Sequence, residues 1–361
     1  MYRPFFTVTP TILTTVEQIG RILGYLQAVR LPAGAVQEIL AQVEAETVHA
    51  STAIEGNTLT QEQVTAVLAG RTVQALARDI QEVRNYQGTL SYIHEIAAVT
   101  QAFSHQTVLE LHYRLLQGVD DEAAGRYRTS RVRVGDYLPP DPYEVHALMN
   151  DFVVWLNAPL PQGYSHLLYA GIAHYQFVAV HPFTDGNGRT ARALTTLYLL
   201  KHGYDITRSF ALESHYNRDR AAYYAALHAA DVAVTTGGER DLTSWLDYFV
   251  SGMLVEAARA ESRIRAYQPA APTQLPLRLT ETQRTILAVT ARLGTAASSD
   301  YAGELAISTR GIRKALVQLV DAGLLARSGA KRGTTYRLTP PGLRAVEAMP
   351  LSDSGPSNIQ T

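Results

Sequence analysis

His181-Pro182-Phe183-Thr184-Asp185-Gly186-Asn187-Gly188-Arg189-Thr190-Ala191-Arg192 lies between two runs of helical periodicity, and its residues compose a phosphate site piece by piece. Two glycines flanking an asparagine let the backbone turn sharply and aim N–H groups into one concavity. The helix that follows adds partial positive charge at its N-terminus, so the cradle suits an anion. Arg189 and Arg192 are three apart on the first helical turn. Both can reach one anion with forked donors, which favours a polyphosphate. Asp185 offers a hard oxygen for Mg²⁺ held jointly with phosphate oxygens. His181, ending the preceding helix, is the one group of the run that accepts a proton near neutral pH, a candidate general base. Singly, each has a plainer meaning: His before Pro ends a helix, Gly-Asn-Gly caps one, and an Arg pair is a solvated face. Gathered within twelve residues they point to nucleotide chemistry.

Working outward, helical spacing dominates to about residue 265. Ile12 to Val29 and Ala33 to Ile54 read as amphipathic helices, the second followed by Gly56 as a C-cap. Thr60 opens another, with Gln63 completing a capping box and Gly70 beyond its end. Arg78 to Val99 and Thr107 to Leu116 follow. Arg131 to Tyr137 then alternates β-branched and polar residues before breaking at Leu138-Pro139-Pro140-Asp141-Pro142, the pattern of a short hairpin or flap. Tyr143 to Leu156, Ser165 to Val180, Gly188 to His202, Arg218 to Asp231 and Asp241 to Ala266 complete the helices. Ser165 to Val180 is nearly apolar all round and reads as a central core helix.

Tyr267-Gln268-Pro269-Ala270-Ala271-Pro272 reads as a Pro/Ala linker, with residues 267–275 as the boundary between domains. Beyond it, short helices are expected at Thr280 to Leu293, Ser299 to Leu305 and Ser308 to Ala322. Extended runs at Leu324 to Arg327 and Thr335 to Leu338 flank the basic turn containing Lys331 and Arg332. That order predicts a winged helix-turn-helix over 276–348, with Arg310, Arg313 and Lys314 outward, then a polar tail over 349–361. From Ala271 onward there are eleven Lys/Arg against six Asp/Glu, leaving 21 against 27 upstream. A net charge of −1 therefore hides a basic appendage on an acidic body.

With 361 residues and 46% hydrophobic content the chain can bury a sizeable core. No stretch approaches the roughly 18 apolar residues of a membrane span. The first nine residues lack a secretory pattern, so the expected compartment is the cytoplasm. Zero cysteines exclude disulfides, thiolate catalysis and cysteine-ligated zinc.

The run from His181 to Arg192 resembles the signature of the Fic family, His-Pro-Phe-x-(Asp/Glu)-Gly-Asn-(Gly/Lys)-Arg-x-x-Arg, at every defined position. The likeness extends over about residues 45 to 255, through Val132-Arg133-Val134-Gly135 and the pair Tyr223-Tyr224. It implies an all-α fold, a Fic-type helical core over 101–266 with a short β-hairpin flap, joined to an N-terminal helical region over 1–100 and to the winged helix-turn-helix already read from the order of elements. It implies transfer of AMP from ATP to a Ser, Thr or Tyr hydroxyl of a target protein, the chain itself being one acceptor to consider. By that resemblance His181 is the catalytic base and Asp185 holds Mg²⁺. Gly186, Asn187, Gly188 and the neighbouring amides meet the α-phosphate, Arg189 the β-phosphate and Arg192 the γ-phosphate. The flap, Val132 to Gly135, closes over the nucleotide and receives the target peptide as an added strand. Tyr223 and Tyr224 resemble adenine-pocket aromatics, although a Tyr pair on a helix serves equally as core packing.

Ser51-Thr52-Ala53-Ile54-Glu55-Gly56-Asn57 resembles the family's inhibitory motif, (Ser/Thr)-x-x-x-Glu-(Gly/Asn). It places Ser51 and Glu55 on the inhibitory helix of the N-terminal region. A charge-assisted pair between Glu55 and Arg192 would occupy the arginine needed for the γ-phosphate. Self-association is common among the proteins so resembled, which makes a homodimer the expected assembly; no membrane partner is expected. Two other functions fit the sequence. One is removal of AMP from a modified protein at the same site, with Glu55 orienting water. The other is a DNA-binding regulator with the Fic core as sensor. Transfer of phosphate or phosphocholine fits less well, because relatives with those activities depart from the signature.

Overall fold

The computed structural model describes residues 2–31, 33–99, 102–205, 210–235, 238–267, 279–305, 307–329, 333–347 and 349. The chain divides into two compact units, Met1–Tyr267 and Gln268–Thr361. Residues 268–275 of the expected linker, the Lys331 and Arg332 turn, and the tail beyond 349 lie outside the described residues.

The first unit is built from α1 (Pro10–Ala28), α2 (Ala33–Ile54), α3 (Gln61–Leu68), α4 (Ala77–Val99), α5 (His105–Leu116), α6 (Val145–Leu156), α7 (His166–Val180), α8 (Asn187–Lys201), α9 (Leu212–Arg218), α10 (Arg220–Val232) and α11 (Thr243–Tyr267). Local chemistry marks the ends. Thr60 and Gln63 form a reciprocal capping box, and Gly56 and Gly70 take positive φ after α2 and α3. α7 is buried on almost every side, and α8 packs along it as the second central helix. The bond from Trp245 Nε1 to the Gly171 carbonyl (2.7 Å) brings α11 close to α7, and a Cβ on Gly171 would meet Leu246 and Phe249 at 2.9 Å. Since α1 lies against α11 and one apolar core takes in both, residues 1–100 and 101–266 share a single packed body.

Two local expectations change. The helix expected from Arg218 starts at Arg220, because the Asp219 side chain accepts from Ala222 N (2.9 Å) and caps it. The residues before that cap form the separate helix α9. The flap reduces to one antiparallel bridge, Val134 with Tyr137, around a two-residue turn. No helix among the described residues is long and apolar enough to cross a membrane.

The second unit contains α12 (Glu281–Leu293), β1 (Ala296–Ala297), α13 (Thr309–Asp321), β2 (Leu325–Ser328), β3 (Thr335–Leu338) and α14 (Pro340–Glu347). Its antiparallel sheet has the order β1-β3-β2. Ile286, Leu287, Ile312, Leu316, Leu319 and Tyr336 share its core. The helix expected over Ser299 to Leu305 is instead a series of turns. Asp300 accepts from Ala297 N (2.8 Å), i→i+3 bonds follow, and Tyr301 is drawn into the core to meet Thr290 Oγ1 (3.0 Å). β1 and α14 were not expected from the sequence.

Candidate active site

α7 ends at His181, whose φ of 50° and ψ of 59° are left-handed; no other non-glycine among the described residues has positive φ. Such a conformation costs about 1–3 kcal/mol and persists where its surroundings over-determine it. Pro182 prevents the helix from continuing. The imidazole Nδ1 lies 3.2 Å from the Val178 carbonyl, which can only accept, so Nδ1 carries the hydrogen and Nε2 keeps a lone pair. Burial pushes its pKa below the usual 6.5; the Val178 bond opposes this and the Arg128 charge adds to it. At neutral pH the ring is therefore an uncharged base.

The following loop is held by its own side chains. Asn187 Oδ1 accepts from Phe183 N and Nδ2 donates to Phe183 O, both at 2.9 Å, within a buried pocket. Both ends of the carboxamide are thus committed to the loop. The resemblance places Asn187 on the α-phosphate; the contacts its carboxamide makes here go to the loop backbone and shape the turn. Gly186 has φ 73°, and a Cβ there would meet Leu116 Cδ2 at 2.8 Å. Beneath it, His112 Nδ1 accepts from Gly125 N (2.9 Å), so Nε2–H donates to the Asp185 carbonyl (3.0 Å). The His112 ring stacks on Phe183 at 3.6 Å, and burial holds its pKa down to about 4. The first N–H groups of α8 have no acceptor within the helix, as at any helix N-terminus, which suits an anion there.

The two signature arginines are buried, and each faces a carboxylate from the N-terminal region: Glu55 in the turn after α2 and Glu82 on α4. Arg192 donates from Nε to Ser51 Oγ (2.7 Å) and from Nη2 to the Ser51 carbonyl (3.0 Å) and Glu55 Oε1 (2.8 Å). A Cβ on Gly188 would overlap Glu55 Oε1 and lie 3.1 Å from Arg192 Nη1. The Glu55 carboxylate is therefore seated against the first turn of α8. Arg189 faces Glu82 (3.4 Å) and Asp185 (3.5 Å). Arg189 Nε and Arg192 Nη1 are buried donors with no hydrogen-bond partner among the described residues. Below Arg192, His174 bonds Thr195 Oγ1 (3.2 Å) and Tyr223 OH (2.8 Å), and burial drives its pKa to about 3.

A cavity of about 500 Å³ opens beside His181. Its walls bring together Glu55, Val134, Gly135, His181, Gly188, Arg192, Tyr223 and Tyr224, and add Tyr137 and Asp231, which sequence reasoning missed. Ser51, Asp185, Gly186, Asn187, Arg189, Val132 and Arg133 do not line it. Correcting the expectation for the flap, Val132 and Arg133 precede the bridge and only its turn reaches the cavity. Tyr137 OH donates to the Ala179 carbonyl (2.7 Å) and holds that turn over α7. Tyr223 is core-packed with one edge on the cavity, and Tyr224 is half exposed. The described residues contain no cluster of three or more His, Asp or Glu able to cage a metal. Asp185, with its side chain 45% exposed beside Arg189, fits Mg²⁺ whose other ligands are phosphate and water. Arg128, His112 and Glu82 carry no local sequence signal for the site, because the site residues they hold, His181, Asp185 and Arg189, lie more than fifty residues away.

Residues 102–199 match the model of the Fic/DOC family. The chain carries a Fic domain. The chain is 37% identical over 189 residues to protein adenylyltransferase fic-1 of Caenorhabditis elegans, covering 51% of this chain and 36% of that protein. It is 34% identical over 206 residues to protein adenylyltransferase Fic of Drosophila willistoni, covering 54% and 41%. The chain thus spans well under half the length of these curated relatives. A Fic family protein from Desulfovibrio desulfuricans G20 superposes with a TM-score of 0.62 at 28% identity, over 94% of this chain and 99% of that one.

Proposed function

We propose that the chain is a protein adenylyltransferase restrained by Glu55. The observation that carries this is that His181, with Nδ1 facing the Val178 carbonyl and no hydrogen-bond partner for Nε2 among the described residues, lines the same cavity as Arg192 and the first turn of α8. In the proposed reaction His181 Nε2 takes the proton of a Ser, Thr or Tyr hydroxyl of the target protein. That oxygen bonds to the α-phosphorus of ATP as the bond to the β-phosphate oxygen breaks, and pyrophosphate leaves. The α8 N–H groups, Arg189 and, once released from Glu55, Arg192 meet the phosphates. Asp185 would hold Mg²⁺, which offsets charge on the leaving group. Incubation with α-labelled ATP tests this: label should appear on protein with Glu55→Gly and be absent with Glu55→Gly/His181→Ala. No label with either sinks the proposal.

Removal of AMP is a second reading, supported by Glu55 lining the same cavity as His181, where it could orient water. Release of AMP from a labelled, modified protein by the unaltered chain, lost with Glu55→Gly, would favour it over transfer.

For the second unit we propose a winged helix-turn-helix with α13 as a DNA-contacting helix. Arg310, Arg313 and Lys314 are exposed on it and enter no ion pair among the described residues. Duplex binding by the full chain should weaken steeply with added salt, with a shallower slope for Arg313→Ala/Lys314→Ala. Salt-independent or absent binding assigns the unit to protein docking. A homodimer is tested by light scattering of the purified chain.

A further inference from the structure

Arg128 is 4% exposed, and its contacts converge on two parts of the site. Nε donates to the His181 carbonyl (2.7 Å), and its backbone N–H donates to the Pro182 carbonyl (2.9 Å). One residue therefore fixes both carbonyls of the strained step at the end of α7. The other two guanidinium nitrogens reach the flap: Nη1 to the Ser130 carbonyl (3.1 Å) and Nη2 to the Pro140 carbonyl (2.6 Å). Ser130 and Pro140 are the two feet from which the flap rises, with Val134, Gly135 and Tyr137 at its cavity-facing turn. A planar fork with donors in fixed directions can bind three carbonyls at once; the single ammonium of lysine has no such preset geometry.

We propose that Arg128 is a positioning residue that couples the flap to the catalytic base. It ties the left-handed His181 to the spacing of the flap's feet, so that a flap closed on nucleotide and target also sets the imidazole for proton removal. This rests on the adenylyltransferase reading. Two features support a coupling role over simple packing. The contacts are made by every nitrogen of the guanidinium, and they run to backbone carbonyls in both segments. The loop from His181 to Gly186 is already braced internally by Asn187 and from below by His112, so what Arg128 adds is its link to the flap.

The test uses the full chain with Glu55→Gly, alone and with Arg128→Lys or Arg128→Met. Hydrogen–deuterium exchange is followed in segments 129–141 and 181–187, alongside AMP transfer. Arg128→Lys keeps the charge and loses the fork. The expected result is faster exchange in both segments together, unchanged protection in the middle of α7 and α8, and kcat lower by about 10- to 100-fold, with KM for ATP within about threefold. Arg128→Met should give the same pattern. Unchanged exchange in both segments, a change in one alone, or full activity with Arg128→Lys overturns the proposal. Loss of protection throughout α7 and α8 with Arg128→Lys also overturns it, because Arg128 would then hold up the fold. If the Glu55→Gly parent transfers no AMP, the functional reading fails, and the exchange pattern still decides whether Arg128 joins the two segments.

Discussion

Glu55 Oε1 and Arg192 Nη2 meet at 2.8 Å across 137 residues of chain, with Ser51 in the last turn of the preceding helix α2 holding the other side of the guanidinium. A charge-assisted bond of this kind is worth about 1.5–3 kcal/mol. Glu55→Gly is therefore expected to raise AMP transfer at limiting ATP by about 10- to 100-fold, at about 1.4 kcal/mol per tenfold. Initial rates with α-labelled ATP measure this, and an unchanged rate removes Glu55 from any inhibitory role.

Gly188→Ala should release the same contact without touching Glu55. The residue sits in the first turn of a helix, where alanine is favourable, yet a Cβ there would overlap the Glu55 carboxylate. Basal transfer is expected to rise at least about threefold, in the range a weakened charged hydrogen bond allows. The substitution should add nothing once Glu55 is glycine; an additive effect in the double variant would show that it acts elsewhere.

Asn187→Ala distinguishes a clip from a substrate contact. Removing the carboxamide leaves the buried Phe183 N–H and C=O without partners, at about 1–3 kcal/mol each. A melting temperature lower by at least about 4 °C is expected without nucleotide, taking about 2–4 °C per kcal/mol for a domain of this size. Loss of ATP affinity with an unaltered melt would assign Asn187 to the phosphate.

Acid should destabilise the first unit early. An unfolded histidine gains its proton near pH 6.5, whereas folded His112 and His174 resist until about 4 and about 3. Between those values the unfolded state binds more protons, so stability is fully present above about pH 6.5 and falls below it. The slope is about 1.4 kcal/mol per pH unit for each group. Urea melts at pH 7, 6 and 5 measure this; equal midpoints at all three would show that neither ring stays neutral.

The catalytic limb follows the same direction. With His181 lowered from 6.5 chiefly by burial, the acid limb of kcat/KM for the Glu55→Gly chain should be centred below pH 6.5, with the base form prevailing above it. A limb centred above pH 7 would mean that His181 is not the titrating base.

What the sequence disclosed here is what short-range chemistry encodes. Thr60 and Gln63, Gly56 and Gly70, and the spacing of Arg189 and Arg192 are local, and they place helix ends and the phosphate cradle. Glu82 and Arg128 were silent because each looks like an ordinary charged residue until the fold delivers Arg189 to one and the His181 carbonyl to the other. Asn187 was visible as part of the motif, but its job was not. A carboxamide can serve a ligand or a backbone, and only its contacts with Phe183 separate the two. Ser299 to Leu305 misled because its apolar spacing is helical while Asp300 captures a backbone N–H and bends the chain into turns.

Both arginines of the cradle are already matched to anionic side chains, Arg192 to Glu55 and Arg189 to Glu82 and Asp185. If the proposed reading holds, a free triphosphate approaching this conformation would meet a mouth with little surplus positive field to steer it. On the adenylyltransferase reading its encounter rate should depend only weakly on ionic strength, and the groove would become an electrostatic funnel only once Glu55 lets go of Arg192, so that nucleotide capture and release from restraint would be one event.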